Sequence, residues 1–294
     1  MRTGPLRTVL YVPGSRPDRF DKALGSGADA IVVDLEDAVA ADQKSAARAN
    51  LLAWLDKRTP IAESTGVWVR VNNTDLLEAD VAAAVRPGVT GVFLPKCESR
   101  SELDALSDML AIHEENRRMQ PLAVSPLIES AVGLLASAAI ASGPRVSFLQ
   151  LGEVDLAADL GLEPGDDGRE MAWPRAMVVI ASAAAEVAAP LGAVSVETRD
   201  MVAFTAETAA LRRHGFWGRA CIHPAQLPSA DTVFTTTAED VARARAMLDL
   251  LRREGGAAVL DESGRLVDGA VVRQARSLVR RTEGVVPLGD DATG

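Results

Sequence analysis

Residues 7–39 read RTVLYVPGSRPDRFDKALGSGADAIVVDLEDAV. Two short runs rich in Val, Ile and Leu, RTVLYV (7–12) and ADAIVVDL (28–35), bracket a helix-like stretch at 17–25. Each run is continuously apolar rather than alternating, and it is only a strand's length. That combination suits strands covered on both faces, as in a parallel sheet. Gly27 marks the joint where the chain turns back into the second run.

The same beat repeats outward along the chain. Further strand candidates are VWVRV (67–71), GVFLP (91–95), LAVSPLI (122–128), VSFLQL (146–151), AVSVE (193–197) and RACIH (219–223). Helical patterns fall between them at 42–56, 75–86, 99–117, 130–141, 169–188 and 199–214, with Asp42 as a cap and a capping-box spacing from Ser99 to Glu102. Strands that alternate with helical crossovers predict a closed (β/α)8 TIM barrel over residues 1–235. No GxGxxG or GxxxxGK[ST] follows an early strand, which weighs against a nucleotide-binding open sheet. A small appendage is expected over 236–283, with helices at 238–254 and 269–281 around a hairpin-like AAVLDESGRLV (257–267). Residues 284–294 read as a disordered tail.

Composition agrees. A chain of 294 residues accommodates a barrel that needs about 250. A net charge of −10 and a pI near 4.9 argue against nucleic acid or an anionic membrane as partner. Cys97 and Cys221 stand far apart without CxxC spacing, so no disulfide framework or zinc cluster is expected. The N-terminal stretch meets Pro13-Gly14 before a signal-like apolar run can form, and a cytoplasmic location is the expectation.

Barrel chemistry collects at the carboxyl ends of strands, where the βα loops converge. Here that place is occupied in turn by Pro13-Gly14-Ser15-Arg16, by Asp34, Glu36 and Asp37, by Arg70 and Asn72, and by Lys96 and Glu98. Glu129, the pair Glu153 and Asp155, Glu197 and His223 complete the circuit. Each has an ordinary reading. Glu98, Glu153 and Glu197 suit helix caps, Lys96 a neutralising partner, His223 a packed loop residue and Ser15 a turn. Several carboxylates at one mouth nevertheless repel unless a cation sits among them. Oxygen ligands without a Cys/His cluster favour Mg2+ over zinc. Arg70 offers a planar fork suited to a substrate carboxylate.

At these residues the chain resembles the citrate lyase beta-subunit-like family of the HpcH/HpaI aldolases. The carriers are YVPGSRPDRFDKALGSGADAIVVDLEDAV (11–39), VRVN (69–72), LPKCES (94–99), PLIES (126–130), LGEVDLAADLG (151–161) and CIHPAQ (221–226). Their order and spacing together are specific. The resemblance implies a Mg2+-dependent carbon–carbon lyase, with Mn2+ as a possible substitute. It would act on a 3-hydroxyacyl thioester to give an acyl-CoA and a 2-oxoacid, or run in reverse, as a homotrimer or hexamer.

It further implies that Glu129 and Asp155 bind the metal, Glu129 and Arg70 engage substrate, and Glu36, Asp37 and Lys96 support them from behind. Pro13, Gly14, Ser15 and Arg16 would line the mouth where the thioester approaches. Asp268 in GRLVDGAVVRQA (264–275) matches an acid/base that reaches a neighbouring subunit's site, although Gly269 and Ala270 replace the family's usual proline. Rival readings are an aldolase of free 2-oxoacids, a citrate lyase beta subunit working on a carrier protein, and a catalytically silent ligand-binding barrel.

Overall fold

A computed structural model describes residues 6–57, 65–165 and 167–253, together with 259–260, 266–267, 272–273, 275–276 and 278–279. Eight parallel strands close into a barrel: β1 (Thr8–Pro13), β2 (Ala30–Asp34), β3 (Gly66–Arg70), β4 (Gly91–Leu94), β5 (Ala123–Ile128), β6 (Phe148–Leu151), β7 (Ala188–Gly192) and β8 (Gly218–Cys221). Closure is made by β1 on β8, in the register Thr8↔Arg219, Val9↔Ala220 and Leu10↔Cys221. The predicted (β/α)8 architecture is therefore the observed one.

The strands are apolar throughout because both faces are covered. Their inward residues, among them Val9, Val32, Trp68, Phe93, Leu127 and Phe148, fill the barrel. Trp68, Phe93 and Phe148 form a triad, tilted for Trp68 with each phenylalanine and edge-on between the two phenylalanines, with centroids 5.2–5.9 Å apart, a plug worth about 0.5–1.5 kcal/mol per ring pair beyond its burial. Gly91 makes room for it, since a Cβ there would lie 2.5 Å from the Trp68 ring. The outward residues pack under a helical layer. Leu103, Leu106 and Leu110 of the helix Arg100–Arg117 are buried at helical spacing, and its Ser99/Glu102 capping box is present.

Several boundaries differ from expectation. The seventh strand lies at Ala188–Gly192, ahead of the predicted 193–197. AVSVE alternates like a strand, but Phe148 and Gln150 pair with Ala188 and Leu191 instead. Ala193–Glu197 becomes the loop that follows. The preceding helix consequently stops at Ala184. Asp42 does not cap its helix: it lies within a 3-10 turn, Ala41–Gln43, that precedes the helix Lys44–Lys57. The expected helix 130–141 is two short ones, Ala131–Leu135 and Ser137–Ala141.

The chain divides into a unit spanning Leu6–Phe234 and a second that begins at Thr235. The second contains a helix, Ala238–Arg253, and an antiparallel pair of Val259–Leu260 with Leu266–Val267. Among the described residues no helix is long and apolar enough to cross a membrane. Residues 284–294 lie outside the described residues.

Candidate active site

Parallel register places the last residues of β2 and β3 side by side, Asp34 against Arg70. Arg70 Nε and Nη2 donate to the two Asp34 oxygens at 2.8 and 2.5 Å, and Nη1 lies 3.1 Å from Glu36 Oε2. Asp34 also accepts from the backbone N–H groups of Glu36 and Ala38 at 2.8 and 3.3 Å. Burial by itself would weaken the Arg70 charge. Hydrogen bonds and charge from Asp34, helped by Tyr11 and Glu36, outweigh it and hold the guanidinium above its ordinary pKa. The fork expected to face substrate is thus half committed to the protein, and the remaining N–H groups are what a ligand can use.

The loop after β2 is tied down by Lys44, whose Nζ donates to Leu35 O, Glu36 O and Asn72 Oδ1 at 2.9, 2.6 and 2.8 Å. Lys96 holds the other side. Its ammonium donates to Glu36 and lies 3.3 Å from both Asp37 oxygens. Burial raises the Glu36 pKa in spite of Arg70 and Lys96, whereas hydrogen bonding to Glu36 and the Lys96 charge outweigh burial and lower that of Asp37. Lys96 sits at φ 50°, a left-handed backbone that costs a lysine roughly 1–3 kcal/mol and commonly marks functional sites. That conformation accompanies an N–H of Lys96 aimed at Glu129 Oε1, 2.6 Å away.

Glu129, one residue past β5, is 4% exposed. Burial and the nearby negative charge of Asp155 push its pKa up to about 7, against the Lys96 N–H and Arg70. Asp155 is exposed on the first turn of the helix Glu153–Leu160. Gly152 lets that helix start beside Glu129, since a Cβ there would come within 2.6 Å of Glu129 Oε2. Among the described residues no three His, Cys, Asp or Glu side chains are grouped to hold a metal. A pair of carboxylates, one buried and poorly neutralised, still fits a hard divalent cation that takes its remaining ligands from water and substrate.

These elements border a cavity of about 690 Å³. Among the expected residues, Pro13, Arg16, Arg70, Glu129 and Asp155 line it; Gly14, Ser15, Glu36, Asp37 and Lys96 do not. Gly14 is a packing residue, its N–H donating to Asp34 O at 2.8 Å with no room for a side chain. Arg16 turns its fork onto Asp18 at 2.9 and 2.8 Å. Asp268 lies outside the described residues.

Other strand-end groups have local duties. Glu153 pairs with Arg175 at 2.8 and 2.6 Å, and Glu98 accepts from Ser130 Oγ at 2.7 Å. Glu197 accepts from the loop N–H groups of Arg199 and Asp200 at 2.6 and 2.9 Å, and His223 Nδ1 caps a 3-10 turn by accepting from Ala225 N at 3.2 Å.

Sequence reading passed over Tyr11 and Gln150. Both line the cavity, and Tyr11 Oη donates to Gln150 Oε1 at 2.8 Å. A signal existed for each. Tyr11 is the chain's single tyrosine and keeps inward phase with Val9, while Gln150 is a polar residue inside an apolar strand.

The chain is 34% identical over 280 residues to the citrate lyase subunit beta-like protein of Deinococcus radiodurans, covering 93% of this chain and 96% of that one. It is 33% identical over 313 residues to the L-malyl-CoA/beta-methylmalyl-CoA lyase of Cereibacter sphaeroides, covering 95% of each. The crystal structure of CitE from Mycobacterium tuberculosis in complex with magnesium, acetoacetate and coenzyme A superposes with a TM-score of 0.77. Identity is 30%, over 96% of this chain and 100% of that one. The HpcH/HpaI aldolase/citrate lyase family model matches residues 7–224, which span all eight strands and the cavity they surround. By sequence and fold, the chain belongs to the HpcH/HpaI aldolase/citrate lyase family.

Proposed function

We propose that the protein is a Mg2+-dependent carbon–carbon lyase that cleaves a 3-hydroxyacyl thioester into an acyl-CoA and a 2-oxoacid, or joins the two. The observation that carries this reading is Glu129: a buried carboxylate, next to Asp155 on the wall of the cavity, with a pKa raised to about 7. Glu129 and Asp155 would hold the ion. Bound there, Mg2+ supplies Lewis-acid polarisation of a carbonyl oxygen and neutralises charge on the acid.

The protein's own groups do the rest. Arg70, stiffened by Asp34 and by the face of Tyr11 at 5.3 Å, orients a substrate carboxylate through its remaining N–H groups. Lys96 positions Glu129 by its backbone and, through its ammonium, fixes Glu36 behind Arg70. In cleavage the C3 hydroxyl would give its proton to solvent as the C2–C3 bond breaks, and the thioester enolate would take one at C2, so no net proton is consumed. Asp268 is proposed as the acid/base for that last transfer, delivered from a neighbouring subunit of a trimer or hexamer.

A cytoplasmic setting accompanies this reading. It is supported by Cys97 and Cys221, both free and buried, with their pKa pushed up to about 12 by burial, which keeps them protonated and unreactive. The decisive experiment is product analysis by mass spectrometry after incubating acetyl-CoA and propionyl-CoA with Mg2+ and a panel of 2-oxoacids. A 3-hydroxyacyl-CoA adduct that forms only with metal is expected. Adducts of the free acids without any thioester, or no product across the panel, would overturn the reading.

A further inference from the structure

Tyr11 of β1 and Gln150 of β6 meet in the cavity wall, where the Tyr11 ring packs 6.0 Å from Phe93 of the aromatic plug. Gln150 is 3% exposed, and its register partner Leu127 lies two residues before Glu129. An amide has one accepting and one donating end. The hydroxyl of half-buried Tyr11 donates its proton to Gln150 Oε1 at 2.8 Å. The amide is thereby turned, with its oxygen toward Tyr11 and its Nε2 away from it. Among the described residues Nε2 meets no acceptor. Nor does it belong to the sealed unpaired atoms, which are Trp68 Nε1, Ser125 Oγ, Ser182 Oγ and Thr236 Oγ1. Its N–H groups are available to the cavity that Gln150 lines.

A second fact gives this donor a task. Asp34 takes the Nε/Nη2 edge of Arg70, so the guanidinium alone does not offer a ligand its full side-on fork. We propose that Gln150 is a substrate-contacting residue, donating an N–H into the cavity to a carboxylate oxygen of the small acid. This rests on the reading of the cavity as a 2-oxoacid site and assigns a recognition element within it. Tyr11 is the positioning residue, acting through Gln150.

The test measures binding as well as turnover. Pyruvate and oxaloacetate are titrated calorimetrically into wild type, Gln150→Leu, Gln150→Glu and Tyr11→Phe with Mg2+ present, and KM is measured separately for acid and thioester. Gln150→Leu should raise the Kd and KM of the acid about tenfold, the size of one lost hydrogen bond to a charged group, and leave the thioester KM unchanged. Gln150→Glu keeps the shape and the Tyr11 bond, so it covers the case in which Leu fails to fold; it should weaken acid binding more. Tyr11→Phe frees the amide to turn and should cost a few-fold. Loss with both acids assigns the contact to the carboxylate beside the carbonyl, and loss with oxaloacetate alone to the distal one. Unchanged acid affinity in both Gln150 variants, or no acid binding to wild type, overturns the proposal. Turnover with unchanged binding removes Gln150 alone. Weakened binding without any wild-type turnover removes the lyase reading and leaves Gln150 in place.

Discussion

The two sides of the barrel mouth carry similar acids in opposite circumstances. At the β2–β3 corner, Asp34, Glu36 and Asp37 are matched by Arg70 and Lys96, with backbone N–H groups taking up further oxygens. At the β5–β6 corner, Glu129 receives one backbone N–H, and Asp155 beside it adds to its negative field. The first corner is neutralised within the chain. The second is left under-neutralised, and the proposed function assigns the missing charge to a bound cation. A self-neutralised network resists rearrangement; in the proposed function the under-neutralised pair beside it would hold the metal, and the neutralised corner would keep that pair in place.

The largest effect that would break this contrast is on turnover. Glu129→Ala or Asp155→Ala should lower Mg2+-dependent rates by about 10³-fold, the scale of several kcal/mol of lost charge stabilisation, while the protein stays folded. Steady-state assays against metal concentration check this, and retained activity in either variant would remove both acids from the metal role. At the other corner the same kind of truncation should act on stability. Asp34→Ala leaves Arg70 buried and mostly uncompensated, at a cost of about 3–5 kcal/mol. Urea denaturation reads this directly, and an unshifted midpoint would mean the corner is not the rigid half.

The pH dependence sharpens the comparison. Glu129 has a folded pKa near 7 against an ordinary 4.5, so the native state keeps its proton over a range where the unfolded chain has released it. Stability therefore falls as pH rises from about 4.5 to about 7 and levels off above. By pH 8 the ionised group costs on the order of 3 kcal/mol. Glu129→Gln should escape this cost, so in metal-free buffer its stability advantage over wild type grows between pH 5 and pH 8. Saturating Mg2+ should close the gap. A gap that ignores both pH and metal would place the Glu129 charge in an already compensated setting.

A smaller effect is expected at the residue that joins the two corners. Lys96→Met keeps the backbone N–H to Glu129 but removes the ammonium from Glu36 and Asp37. Mg2+ affinity should drop about tenfold, as for residues one step removed from a metal. Calorimetric titration of the ion measures this, and a loss as large as that of Glu129→Ala would show that the two corners are one network.

Residues 7–39 contain the fold's repeating unit, and the barrel follows from it because parallel strands buried on both faces must be apolar over their whole length. The same rule explains why the strand-end acids stand out: a charge at the close of such a run faces the mouth. What that local pattern could not supply is pairing. AVSVE at 193–197 has a strand's alternation, yet β7 forms at Ala188–Gly192 because Phe148, Gln150, Gly218 and Arg219 are its partners there. The periodicity of Arg70 places it at a strand end, but only the β2–β3 register shows that Asp34 occupies its fork. Tyr11 and Gln150 stand 139 residues apart and touch only because the sheet closes. Composition and periodicity are properties of neighbours along the chain, so they determined the architecture and the residue types at its rim. Which of those residues share a proton, an ion pair or a cavity wall depends on register and closure between distant strands, and only the tertiary structure decided that.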